Sequence, residues 1–167
     1  GLTLRFDPLR QETALCERIT QDGLPARPFT LIKNGVLKNL ICGERAARRL
    51  GIPAPGNTSD SLILEPGAAS LDALIGGVER GLLTFAFSGN CRSDGGFSGV
   101  CGNSFFLRDG RITSAADSVS VSGSWPELLG AGAFALSAET GTNGEFVLPW
   151  ARLDGVRDRG DGQVARI

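Results

Sequence analysis

The sequence predicts a β-rich α+β fold: a mostly antiparallel sheet, barrel-like or layered, with two or three short connecting helices. Three observations point there. Short β-prone runs recur along the chain, Asn34-Gly35 and Asp109-Gly110 stand between pairs of them, and 24 glycines are spread among the apolar runs with no repeat period. Asn-Gly and Asp-Gly tolerate positive φ at both central turn positions, so each marks a two-residue hairpin. A hydrophobic fraction of 41% is that of a globular domain. The 167 residues are expected to form one domain over residues 1–156, followed by a charged tail at 157–167 that frays.

Residues 1–30 hold an alternating stretch, Leu2, Leu4 and Phe6, and then a loop containing Asp22-Gly23-Leu24-Pro25. The first hairpin joins Phe29–Lys33 to Val36–Ile41. Gly43–Leu50 reads as a short helix with Ala46, Ala47 and Leu50 on one side and Arg45, Arg48 and Arg49 on a solvated side, stopped by Gly51 and Pro53. Ser61–Leu64 is a strand. Ser70 then caps a helix expected over Leu71–Arg80, with Leu71, Leu74, Ile75 and Val78 on one face and Gly81 just past its end. Gly76-Gly77 weakens that helix by roughly 1 kcal/mol per glycine relative to alanine. A strand at Leu82–Phe87 leads into a glycine-rich loop expected from Ser88 to Gly102. Asn103–Thr113 is the second hairpin and Val119–Val121 a further strand. Ser124 can cap a short helix over Trp125–Leu129, where Pro126 takes an early, tolerated position. Phe134–Leu136 and Phe146–Leu148 flank a loop at Glu139–Gly144.

Composition removes whole classes of function. Lys+Arg number 17 against 18 Asp+Glu, a net charge of −1, and phosphate binding needs a cationic excess, so neither nucleic acid nor an anionic membrane is the expected partner. No run of about 18 apolar residues and no signal-peptide pattern is present, and a cytoplasmic protein is expected. There is no His, Met or Tyr. Mechanisms that need an imidazole, among them Ser-His-Asp and Cys-His catalysis and the common His-based zinc sites, are therefore excluded within this chain. The start at Gly1 without an initiator Met reads as a piece of a longer polypeptide. Cys16, Cys42, Cys91 and Cys101 match no Cys-x-x-Cys pattern. They are expected as free structural thiols, the alternatives being a Cys91–Cys101 bridge or a two-thiolate metal site.

Gly95-Gly96-Phe97-Ser98-Gly99 is the one segment resembling a ligand cradle. It lacks the Lys-Ser/Thr of a P-loop and the spacing of a Rossmann turn, which leaves a structural turn or a peptide-contact loop. The carboxylates are scattered at turns and helix ends; Glu139 and Glu145 flank one loop without establishing an acid-base pair. Of Phe85, Phe87, Phe97, Phe105 and Phe106, at least three are expected in the core.

An ordered series of segments carries a family resemblance. Asp22-Gly23-Leu24-Pro25, Leu31–Lys38, Ala47–Gly51, Gly56-Asn57 and Leu64-Glu65-Pro66-Gly67 with Ser70-Leu71 come first. Gly81–Thr84, Gly96–Gly99, Phe105–Ile112, Val119–Ser124 and Val147-Leu148-Pro149 follow. In that order, from about residue 20 to 156, they resemble the C-terminal domain of the TldD/PmbA family. The resemblance implies a β-rich fold and a place in a pair of related subunits that mature or degrade peptides, historically called modulators of DNA gyrase. One subunit of such a pair is a zinc metallopeptidase with a His-Glu-x-x-x-His helix earlier in the chain and a Cys ligand near the end. Here the stretch matching that ligand reads Thr140-Gly141-Thr142-Asn143-Gly144, without cysteine. The expectation is accordingly a PmbA-like, non-catalytic domain: a scaffold and part of the peptide chamber, with no catalytic or metal-binding residue of its own. Its expected partners are a homologous TldD-like subunit, which would hold any zinc, or a second copy in a homodimer. A peptide substrate is expected to be contacted at Gly95, Gly96, Phe97, Ser98 and Gly99 and along an edge strand. The alternatives are part of an active zinc metallopeptidase whose ligands lie outside this chain, and an unrelated β-rich binding module.

Overall fold

The computed structural model describes residues 1–10, 16–58, 61–130, 134–142, 145–158 and 164–165. In chain order the elements are β1 (Leu4–Phe6), β2 (Phe29–Lys33), β3 (Val36–Leu37), α1 (Glu44–Leu50), β4 (Leu62–Leu64), α2 (Leu71–Gly76) and β5 (Arg80–Cys91). Then follow β6 (Gly96–Arg108), β7 (Arg111–Ala116), β8 (Val119–Ser124), α3 (Trp125–Leu128), β9 (Phe134–Thr142), β10 (Val147–Leu153), β11 (Val156–Asp158) and β12 (Val164–Ala165). The chain divides into two compact units: Gly1–Pro66 with Thr140–Pro149, and Gly67–Glu139 with Trp150–Ile167.

In the first unit β1 is central, antiparallel to β2 on one side and β4 on the other. β4 pairs in parallel with β10 at Ile63 and Val147. The Asn34-Gly35 hairpin forms as expected, with φ of 51° and 81° at its central residues. Its second strand is shorter than expected and stops at Leu37, because the amides of Lys38 and Asn39 both turn back to Leu31 O. Phe6 and Phe29 stack at 4.8 Å across β1 and β2. α1 ends on Gly51 at φ 67°. Of its apolar residues only Ala47 is buried; Ala46 and Leu50 face solvent, as do Arg45, Arg48 and Arg49.

In the second unit Ser70 caps α2, its hydroxyl accepting from the Ala73 amide at 3.1 Å. The helix ends at Gly76, short of the expected Arg80, and Gly81 lies inside β5. Two glycines make further turns unfavourable, and the Arg152 guanidinium occupies the space over Gly77, 2.6 Å from where a Cβ would stand. Leu74 and Val78 remain buried.

The expected loop at Ser88–Gly102 is instead the outer part of a continuous hairpin, with Arg80 opposite Arg108 at its base and Cys91 opposite Phe97 near its tip. β8 and β7 share the other side of β6: β8 pairs with Gly96–Cys101 and β7 with Ser104–Arg108. The changeover falls at Asn103, whose φ is 48°. The sheet order is β12-β11-β8-β6-β5, with β7 beside β6, and it stays open, so the closed-barrel alternative does not form. Its core gathers Leu82, Phe97, Cys101, Ala116, Val121, Leu128 and Val156.

Three further expectations change. α3 starts after Ser124 as expected, but the serine side chain does not cap it; Ser124 is paired with Gly96, and the Trp125 amide bonds to Gly95 O at 2.9 Å. Glu139–Thr142 continue β9 where a loop was expected, while Asn143 and Gly144 lie outside the described residues. In the tail, Arg157 and Asp158 belong to β11, which pairs with Val164 and Ala165; residues 159–163 and 166–167 lie outside the described residues.

Candidate functional site

The tip of the β5–β6 hairpin is built by its glycines. The turn closes through the Arg92 amide on Gly96 O at 2.7 Å and the Gly95 amide on Arg92 O at 3.0 Å, with Gly95 at φ 83°. Asp94 accepts from the Gly96 amide at 2.8 Å and from Arg92 Nε at 3.3 Å. The Gly96 amide first, and Arg92 second, hold its carboxyl below the usual carboxylate range. Gly89 and Gly99 face each other across the hairpin under the Phe87 ring, and a Cβ on either would stand 2.6 or 2.7 Å from that ring. Gly123 leaves the same space for Phe97. These glycines permit aromatic rings to lie flat on main chain.

The expected contact residues thus separate. Gly95 packs on Pro126 in the turn, Gly96 and Phe97 are buried, and Ser98 and Gly99 line a shallow groove of about 410 Å³. Ser88, Asn90 and Ser120 line the same groove and were not singled out in the sequence. The alternation of polar residues along Ser88-Gly89-Asn90 was the available signal. Residues 96–99 sit on a strand paired on both sides, so their main chain is already engaged. β5 is the last strand in the sheet order, with β6 as its partner.

The aromatic residues depart from expectation. Phe97 is 5% exposed, held edge-to-face by Phe87 and against Trp125 at 5.0 Å. Phe85, Phe87 and Phe106 are 56%, 48% and 43% exposed, so a core with at least three of the five does not form. Phe87 stands opposite the buried Cys101 and Phe106 opposite the buried Leu82, so each shares a face with a core residue and still lies beyond the packed part of it. Phe85 meets Phe105 at 6.3 Å and Trp150 at 5.2 Å, edge-to-face.

The donor set does not suit a zinc ion. Among the described residues no three side chains of His, Cys, Asp and Glu come together, and the chain has no His. All four cysteines are free thiols, so the Cys91–Cys101 bridge is not made. Burial pushes the Cys101 thiol up, partly offset by Thr84. Glu139 is engaged at the start of α2, accepting from the Leu71 amide at 3.0 Å. No described helix is long and apolar enough to cross a membrane.

Comparison with known proteins agrees with this geometry. The family model of the PmbA/TldA metallopeptidase C-terminal domain matches residues 1–160. A protein of Methanothermobacter thermautotrophicus named metalloprotease is 29% identical over an aligned length of 121 residues, with 65% of this chain and 27% of that protein covered. The chain therefore spans about a quarter of that relative's length. Among solved structures, a candidate modulator of DNA gyrase from Thermotoga maritima superposes with a TM-score of 0.76 at 20% identity, covering 94% of this chain and 38% of the other. A second, from Bacteroides thetaiotaomicron, gives 0.74 at 24% identity over 99% and 36%. TldE from Thermococcus kodakarensis gives 0.73 at 22% identity over 99% and 39%. At these identities the superpositions establish the fold.

Proposed function

The chain belongs to the TldD/PmbA family as its metallopeptidase C-terminal domain, and from that premise we propose that it is a non-catalytic wall of a peptide-processing chamber. The observation that carries this reading is the place of β5 at the end of the sheet order, with a run of exposed residues along it. β5 is 12 residues long, and Phe85–Cys91 are exposed throughout. An extended peptide gains main-chain hydrogen bonds by adding to such an edge, with side chains alternating between the two faces. The Ser98–Gly99 groove would receive side chains on the polar face. The absence of an imidazole and of any clustered donor set among the described residues supports a non-catalytic part. A homologous subunit or a second copy would supply the remaining wall, and any zinc would be held there.

The name of the Methanothermobacter relative favours a second reading, in which this chain is part of an active metalloprotease with ligands elsewhere. One experiment separates the two. An unfolded peptide is incubated with the protein and zinc, and hydrogen exchange and peptide mass are followed together. The expected result is an intact peptide with slowed exchange at Phe85–Cys91; chelator-sensitive cleavage selects the second reading, and unchanged exchange removes the peptide role.

A further inference from the structure

We propose that the cavity at the base of the β5–β6 hairpin receives the C-terminal carboxylate of an apolar peptide end, a proposal that rests on the peptide-handling role above. The cavity measures about 360 Å³ and has Leu82, Phe106, Val119 and Val121 among its apolar lining, with Arg80, Arg108 and Asp158 also lining it. The strand register sets the charge. Arg80 stands opposite Arg108 across β5–β6, and Arg108 stands opposite Arg111 across β6–β7. Residues directly opposite share a face, so these arginines form one row, and like charges so placed destabilise a sheet. The next row, Leu82 opposite Phe106 and Phe106 opposite Ser114, leads into the apolar part of the cavity.

The row is fixed by main chain. The Asp109-Gly110 turn, at φ 49° and 72°, imposes the Arg108–Arg111 pairing. The Asp109 amide bonds to Glu79 O and the Gly110 amide to Val78 O, each at 2.8 Å. Among the described residues neither Arg108 nor Arg111 forms an ion pair. Asp158 also lines the cavity, and Arg108 brings to it a cation that pairs with no carboxylate among the described residues. A carboxylate docked on the row offsets the repulsion and matches the guanidinium fork. A peptide end brings that group together with an apolar side chain for the adjoining space.

The test is fluorescence anisotropy on the intact protein with a labelled decapeptide that lacks acidic side chains and ends in Leu-Phe, prepared as free acid and as C-terminal amide. The free acid is expected to bind about tenfold tighter or more, the range of a charge-assisted contact. Arg108→Ala and, separately, Arg111→Ala are each expected to reduce that preference without weakening the amide. Equal binding of acid and amide overturns the carboxylate site while leaving the peptide role standing. Failure of both peptides to bind overturns both readings. Displacement of a hydrophobic dye by decanoate, with no preference between the peptides, assigns the cavity to a free fatty acid and overturns the proposal.

Discussion

Gly123 has no room for a methyl group, since a Cβ there would stand 2.7 Å from two ring atoms of Phe97. Gly123→Ala is therefore expected to lower stability by about 1–3 kcal/mol, the usual cost of overpacking, read from the urea midpoint at unchanged slope. Asp94 predicts a pH effect confined to the hairpin tip. Its folded pKa lies below the usual carboxylate range because the Gly96 amide and Arg92 favour the ionised form. The contribution is thus complete above the unfolded value and lost as pH falls through the lowered folded value. The Gly96 amide resonance is expected to titrate with Asp94, at a pH below that of an ordinary aspartate, and Asp94→Asn to abolish that titration. The sequence disclosed that the Gly95–Gly99 segment was special, but not why. The contact between Gly123 and Phe97 joins two strands, and nothing local in either announces the other.

Hairpin turns were the most legible elements. Asn34-Gly35 and Asp109-Gly110 carry their conformation in two residues, and both adopt the positive φ expected of them. Gly110→Ala is expected to destabilise by about 1 kcal/mol or more, because its Cβ would also meet the Gly76 main chain at 2.9 Å. Ser70→Ala is expected to cost about 1 kcal/mol through loss of the α2 cap, visible as faster hydrogen exchange at Ala73. The long hairpin was harder to read. Glycines that admit Phe87 and Phe97 also erase the alternation that signals a strand, so Ser88–Gly102 reads as a loop although it pairs residue by residue. α2 fell short for the opposite reason: its apolar face continues to Val78, but the backbone does not.

At the scale of the molecule, Phe85, Phe87 and Phe106 expose far more ring surface than isolated apolar residues on a monomer require. The chain purified alone is expected to self-associate with rising concentration, and Phe85→Ser with Phe87→Ser to reduce that association. Light scattering checks both, and a clean monomer at high concentration refutes the first. Charge balance and the missing imidazole are legible from composition, whereas the exposure of these rings is set by tertiary packing that no local pattern encodes. The path of the chain has a consequence for biosynthesis. Gly67–Glu139, the larger part of the second unit, precede Thr140–Pro149, which return to the first, where Val147 lies beside the buried Ile63. A ribosome must therefore translate through Pro149 before the earlier unit can acquire β10, and Ile63 lacks that neighbour until then.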